Sequence, residues 1–525
     1  MIPITGLGSR PDPGNTLSAG QAYARLRDHL HTTQLLGGIQ STLYFDQNTA
    51  MPAASAGWRG EQLALLALQL HGRQTSTEYA DLLTEAEAEA AGSASPEQQR
   101  NLELLRRQWE RQSRLDPALV GQLAQAQAQG YALWQEAKQA DAFERFAPAL
   151  KTLIELRLEQ ARQLAPVEQD PSGQKRSPWE ILAQPFEPDI SKAQLSGWLL
   201  PLRQELPPLL EQARSIPQGS HEPWDLTESS QETLCDQLLQ EWGYNAQRCH
   251  RARSPHPFSS TLGPDDFRIT TRVVTAQPFS AFLATAHEWG HSLYEQGLPR
   301  TGDHWFPWPL GEATSMAVHE SQSLFYENRL ARSEALAKRW HPRFSEALGR
   351  DTWGSPKAFW RDLNPIAPGL TRVEADEVSY GLHVLLRYEL ELALLEGGLP
   401  VEELPSAWNQ GMQDLLGIQP KTDREGCLQD VHWSEGLFGY FPSYALGHLI
   451  SAQISEAIET QLGPIEALLE AGEDAALGQW LNQRIYPLGR SVNAMELVEQ
   501  VSGRPLDHRP FIQYLQGKLE RLATP

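Results

Sequence analysis

Residues 284–297 read ATAHEWGHSLYEQG, and this stretch restricts the local fold more than any other. His287 and His291 can serve one ligand only if the chain between them is α-helical, because positions i and i+4 differ by about 40° around a helix axis. In a strand the same spacing would separate the two rings by roughly 13 Å. The flanks agree with a helix: AFLATA before and SLY after are apolar enough to bury one face. Gly290, a poor helix former, stands between the histidines, where close packing or the approach of a substrate would explain it.

Most of the remaining chain reads as helix too. EQQRNLELLRRQWERQSRL and ALKTLIELRLEQARQL carry leucines and charges at helical spacing, and YGLHVLLRYELELALLEGG closes on two glycines, a helix stop. Loops are expected where Pro, Gly and Ser collect, at 167–178 and 215–230, and HWFPWP (304–309) reads as a loop or rim. At 525 residues the chain has room for several domains or for one large helical body, and neither loop has the length or bias of a linker. The pattern breaks at 256–274, where the β-branched run Ile269, Thr270, Thr271, Arg272, Val273, Val274 predicts a short strand or hairpin just before the histidine helix. The edge of a small sheet there could hold an extended peptide by backbone pairing, although a buried hairpin with no ligand fits the same residues.

Composition excludes several functions. A net charge of −22 argues against sequence-independent binding to nucleic acid or to an anionic membrane, which needs a cationic footprint. The three cysteines, Cys235, Cys249 and Cys427, form no CxxC pair, which predicts no disulfide framework and a reducing compartment. The first twenty residues lack a signal-peptide core, and no apolar run approaches the roughly 20 residues of a membrane span, so a cytoplasmic location is expected.

Two imidazoles on one helical face suit a tetrahedral Zn²⁺. Glu288, rotated by about 100° from His287, would flank such an ion and could take a proton from its water. A catalytic zinc needs a third protein ligand and an open fourth position, and GEATSMAVHESQSLFYEN offers Glu312, His319 and Glu320, among which spacing does not choose.

Beyond this helix, several short motifs recur in a fixed order: HPF at 256–258, DFRIT at 266–270, HEWGH at 287–291, HESQ at 319–322, TRVEAD at 371–376 and GCLQDVHW at 426–433, followed by GYFPSYALG at 439–447. This series resembles the carboxypeptidase Taq family of zinc metallocarboxypeptidases. YFDQNTAMP (44–52) and PWEILAQPFEPDIS (178–191) extend the resemblance over nearly the whole chain. Thr371 stands where the family usually has isoleucine, and Leu324 where arginine is common.

The resemblance implies an all-α fold over 1–525, a single helical metallopeptidase domain whose two halves flank a deep groove, with a small sheet near the metal. Its N-terminal helical portion would be about 1–165 and its catalytic motif region about 256–447. It implies Glu320 as third ligand to one Zn²⁺ (Co²⁺ also being acceptable to such a site), a homodimer, and stepwise removal of C-terminal residues from peptides with broad preference. His432, Tyr440 and Tyr444 lie in segments suited to donating toward an oxyanion. A free C-terminal carboxylate calls for an arginine fork; Arg372 is the first candidate and Arg268 the second, and His256 would shape the cleft. Asp266, Asp376, Gln429 and Asp430 would support them. Zinc oligopeptidase or dipeptidase activity, or a silent peptide-binding protein, are the alternatives to weigh against this reading.

Overall fold

The expected helices begin where the sequence supplies caps. Ser95 opens helix Pro96–Ser113 with a capping box, its side chain accepting from the Gln98 N–H while the Gln98 side chain accepts from the Ser95 N–H. Ser177 with Glu180 and Asn493 with Glu496 do the same for helices Pro178–Ala183 and Ala494–Ser502. Such caps satisfy donors that the first turn leaves orphaned, each worth roughly 1 kcal/mol. Helix Tyr380–Leu395 stops as its sequence predicts, with Gly398 in the left-handed region at φ 75°. The structure, a computed structural model, describes residues 20–92, 94–169, 173–217, 224–300 and 306–524. The leader reading at residues 1–19, and parts of the loops at 167–178, 215–230 and 304–309, lie outside the described residues.

Among the described residues there are 21 α-helices and one three-stranded sheet, so the all-α expectation holds. Their apolar faces form one large core that runs from Trp134 to Leu522. A smaller core ties helices Gln21–Thr49, Thr77–Ala90 and Pro96–Ser113 together around Leu26, Leu83 and Leu105. Trp308 closes that smaller core, stacked on Tyr23 with ring centroids 4.2 Å apart. Trp308 is therefore not a rim residue, because its indole finds apolar cover on the N-terminal helices. The three cysteines are buried and free, as their spacing predicts.

The sheet comprises β1 (Cys249–Arg253), β2 (Ser259–Gly263) and β3 (Asp266–Thr271), in the order β1-β3-β2. β3 pairs parallel with β1 and antiparallel with β2. The strand read from the β-branched run starts earlier than that run and ends at Thr271, leaving Arg272, Val273 and Val274 beyond it. β3 buries Phe267, Ile269, Thr270 and Thr271, and the Thr271 hydroxyl donates to the Ala281 carbonyl at 3.2 Å. That contact seats the histidine helix, Ser280–Gly297, against the sheet. The helix is anchored on its other side by Trp289, fully buried, whose indole N–H donates to the Trp242 carbonyl at 3.0 Å.

Candidate active site

The helix Ser280–Gly297 places His287 and His291 one turn apart, and helix Met316–Leu324 brings Glu320 against them. Glu320 Oε2 lies 3.8 Å from His287 Nε2 and 3.4 Å from His291 Nε2. All three ligand atoms fall within 4.8 Å of one another. A tetrahedral ion with bonds of about 2.0 Å needs ligand atoms roughly 3.3 Å apart, so the trio fits a zinc-sized cation with small adjustments. Of the three sequence candidates for third ligand, Glu320 is the one whose carboxylate lies together with both histidines. Glu312 is instead paired with Arg490 at 2.7 Å, and His319 stands behind His291.

Two glycines make this approach possible. A Cβ on Gly290 would meet the Gln322 carbonyl oxygen at 2.6 Å and the Ser323 Cα at 2.7 Å. On the opposite side, a Cβ on Gly447 would meet Glu320 Cγ at 2.7 Å. The Glu320 helix is thus held between two helices that touch it at bare backbone, and close packing accounts for Gly290.

The outer nitrogens of both histidines are occupied. His287 Nδ1–H donates to Glu327 Oε2 at 2.9 Å, and Arg332 pairs with the other oxygen of Glu327 at 3.1 Å. His291 Nδ1 lies 2.6 Å from His319 Nδ1, and His319 Nε2 lies 2.9 Å from Glu295 Oε1. One proton assignment satisfies every contact: His291 Nδ1–H donates to His319, and His319 Nε2–H donates to Glu295. Both histidines then aim an Nε2 lone pair toward Glu320, the orientation that metal-bound imidazoles require. Glu327 belongs to the π-helical turn Phe325–Ala331 that continues the Glu320 helix, a widening often found at functional sites.

Charge at the site favours a cation. Burial would lower the pKa of His287, but the carboxylates of Glu320, Glu327 and Glu288 outweigh it and raise it to about 10. Burial lowers His291 to about 4, and burial raises Glu288 to about 7, with Glu320 and Glu327 adding to the rise. Glu320 is held down at about 2, because the two histidines overcome the burial that would raise it. The donor set by itself keeps a proton on His287, which a divalent ion would displace.

The trio opens on a groove of about 1100 Å³. His256, Glu288, Arg372, Tyr440 and Tyr444 all line it. Arg372 is 5% exposed, its Nε–H donating to Asp430 Oδ1 at 3.0 Å and its Nη1–H to the Tyr380 hydroxyl at 2.8 Å. His432 is not among the groove residues; its Nε2 sits 3.2 Å from the Tyr444 hydroxyl, one layer behind. Arg268 is also outside the groove lining, forked onto Asp266 at 2.8 and 2.7 Å with its guanidinium over the Phe45 ring. Asp430, Gln429 and Asp376 support the wall: Asp430 bridges Arg372 and Arg387, Gln429 accepts from the Arg372 N–H, and Asp376 caps the turn into Ser379.

Sequence reading missed two groove residues. His448 lines the groove and follows Tyr444 by one helical turn in Pro442–Leu462, so the i, i+4 pairing was a usable signal. Glu327 sits seven positions after Glu320, on the π-helical turn that continues the same helix, and its Oε2 lies 2.9 Å from His287 Nδ1.

A helical body, a HExxH helix and a remote glutamate converging on one cleft define a metal-dependent peptidase. The sequence matches the carboxypeptidase Taq (M32) metallopeptidase family over residues 25–519, and the chain belongs to that family. It is 36% identical to thermostable carboxypeptidase 1 of Thermus thermophilus over 510 residues, covering 95% of this chain and 99% of that protein. It is 33% identical to carboxypeptidase 1 of Bacillus subtilis over 488 residues, 91% of this chain and 94% of that protein. The solved structure of the M32 carboxypeptidase from Deinococcus radiodurans R1 superposes with a TM-score of 0.90 at 32% identity, over 96% of this chain and all of that one. The protein is a metallocarboxypeptidase, a peptide hydrolase dependent on a divalent metal. No helix among the described residues is long and apolar enough to cross a membrane.

Proposed function

We propose that this chain releases single residues from the C-termini of peptides with broad side-chain tolerance, using one Zn²⁺ held by His287 Nε2, His291 Nε2 and Glu320. The observation that carries the reading is the spacing of those three atoms, 3.8 and 3.4 Å from Glu320 Oε2 to the two histidines. Co²⁺ suits the same donors. When bound, the ion supplies Lewis acidity and lowers the pKa of an attacking water to about 7.

Glu288 takes the proton of that water and delivers it to the leaving amine, a task suited to a carboxyl that burial lifts to about 7. The Tyr440 and Tyr444 hydroxyls face the groove and donate to the developing oxyanion, the kind of contact whose loss costs roughly 3 kcal/mol in rate. Burial holds the His432 pKa down at about 3, so a neutral imidazole steers the Tyr444 hydroxyl from behind.

Arg372 binds the substrate carboxylate. Its hydrogen bonds to Asp430 and Tyr380 fix the guanidinium and leave part of its five-donor fork for a ligand. Arg268 is the weaker choice, because it does not line the groove and Arg372 does. His256, at the end of the groove near β2, shapes the cleft for the peptide.

We also propose that the chain works as one metallopeptidase domain, in a homodimer, in the cytoplasm. The net charge of −22 argues against a nucleic-acid or anionic-membrane partner. The test is a time course of one synthetic peptide read by mass spectrometry, before and after chelation. Stepwise loss of single C-terminal residues that stops on chelation is expected. An internal cut would favour an oligopeptidase instead.

A further inference from the structure

A second cavity, of about 400 Å³, lies away from the metal trio, between helix Pro96–Ser113, the 184–189 loop and the 490–493 turn. Arg100, Arg107 and Arg111 lie on one helical face, since offsets of 7 and 11 residues return to within about 20° of the starting direction. Arg490 faces them from the far wall. Two carboxylates line the same space, Glu168 and Asp189. Arg107 Nη1 donates to Asp189 Oδ1 at 2.7 Å, and Arg111 pairs with Glu168.

Those two acids also have to serve Arg176, whose side chain is 1% exposed and reaches Asp189 only at 3.9 Å. Its Nε and Nη2 have no hydrogen-bond partner. Arg176, which stands behind the cavity lining, thus shares two carboxylates with the lining Arg107 and Arg111, while the other two lining arginines pair outward, Arg490 with Glu312 at 2.7 Å and Arg100 with Glu103 at 3.5 Å. Buried positive charge without full compensation is unfavourable. Consistent with this, burial together with Arg107 and Arg176 lowers the pKa of Arg111 despite its partner Glu168. Guanidinium forks match the planar oxygens of phosphate and carboxylate, and Leu104, Leu164 and Pro188 leave apolar surface for a small attached group.

We propose that this cavity binds a small oxyanion, a solute carrying a phosphate or a carboxylate. The site is coupled to the groove through a single loop. Gln184 and Asp189 line the cavity, while between them Phe186 packs its ring on Tyr440 at 4.9 Å and its carbonyl accepts from the Met316 N–H at 3.0 Å. Glu187 accepts from the Ala317 N–H at 2.7 Å. The last two bonds hold the start of the helix that carries Glu320, so a bound anion stiffens that start.

The experiment is calorimetric titration of the metal-loaded, full-length protein with inorganic phosphate, and separately with acetate and free leucine, at constant ionic strength. A saturable site separate from any binding in the metal groove is expected, weakened about ten-fold in Arg100→Gln and in Arg490→Gln, the factor one charge-assisted contact supplies. Leu104→Trp, which fills the cavity, should abolish it. Hydrogen exchange at Met316 and Ala317 should slow when phosphate is bound. Binding of phosphate alone assigns the site to phosphorylated solutes, and binding of acetate and leucine assigns it to carboxylates, released amino acids included. No saturable binding, or binding unchanged in both arginine variants and in Leu104→Trp, contradicts the proposal, since such binding would belong to the groove.

Discussion

Gly447 stands so close to Glu320 that a Cβ at that position would lie 2.7 Å from the glutamate Cγ. Helix Pro442–Leu462 therefore braces the proposed third ligand directly, and the same helix carries Tyr444 and His448 into the groove. Gly447→Ala should displace Glu320 or strain the pair, an overpacking that costs roughly 1–3 kcal/mol. The expected outcome is a lower metal affinity in chelator competition together with a lower Tm, and Gly290→Ala should behave alike from the other side of the helix.

Glu327 fixes His287 from the π-helical turn. Glu327→Ala should weaken metal binding by about 10- to 100-fold, the usual effect of losing an outer partner of a ligand imidazole. Glu327→Gln, which keeps an acceptor for His287 Nδ1–H, should fall between the variant and the native protein. Chelator competition at fixed pH measures both, and an unchanged affinity in Glu327→Ala would remove this residue from the metal site.

Arg372 has a readout independent of folding. If its fork holds the C-terminal carboxylate, Arg372→Ala should raise KM by at least about ten-fold for a peptide acid, the worth of one charge-assisted contact. The same variant should also narrow the gap between that peptide and its C-terminal amide. Arg268→Ala should leave the gap intact. Initial rates on the matched acid and amide decide between the two arginines.

Glu391 ties three segments together, accepting from the Trp179 and Trp433 indole N–H groups at 2.9 and 3.1 Å and from the Gly439 N–H at 2.9 Å. Burial raises its pKa to about 7, against an ordinary value of 4.5. The folded protein therefore holds a proton here that the unfolded chain releases above about pH 4.5. Its contribution to stability is fully present below pH 4.5 and is lost as pH rises through about 7. The amount is on the order of 3 kcal/mol. The stability difference between the native protein and Glu391→Gln, followed by denaturant melts, should shrink across that pH window.

How far the sequence reaches is set by which contacts are local. The HEWGH helix is legible because its two histidines lie within one turn of a single element. That Glu320, and not Glu312 or His319, comes to lie beside both histidines is not, since it depends on two helices meeting at Gly290, a contact between segments distant in the chain. The motif series supplied it by resemblance instead. β1 was missed because CHRAR shows no clean alternation of apolar and polar residues, and it exists by pairing with β3. Trp308 looked like a rim residue because its partner, Tyr23, lies far away in sequence. That His432 does not line the groove but touches the Tyr444 hydroxyl is likewise a tertiary contact that spacing along the chain does not show.

The central claim is a single ion clasped by His287, His291 and Glu320, and anomalous diffraction at the zinc edge from crystals of the metal-loaded protein tests it most directly. One strong peak is expected, about 2.0–2.2 Å from the two Nε2 atoms and a Glu320 carboxylate oxygen. No peak there, or a peak liganded by other side chains, would contradict the account.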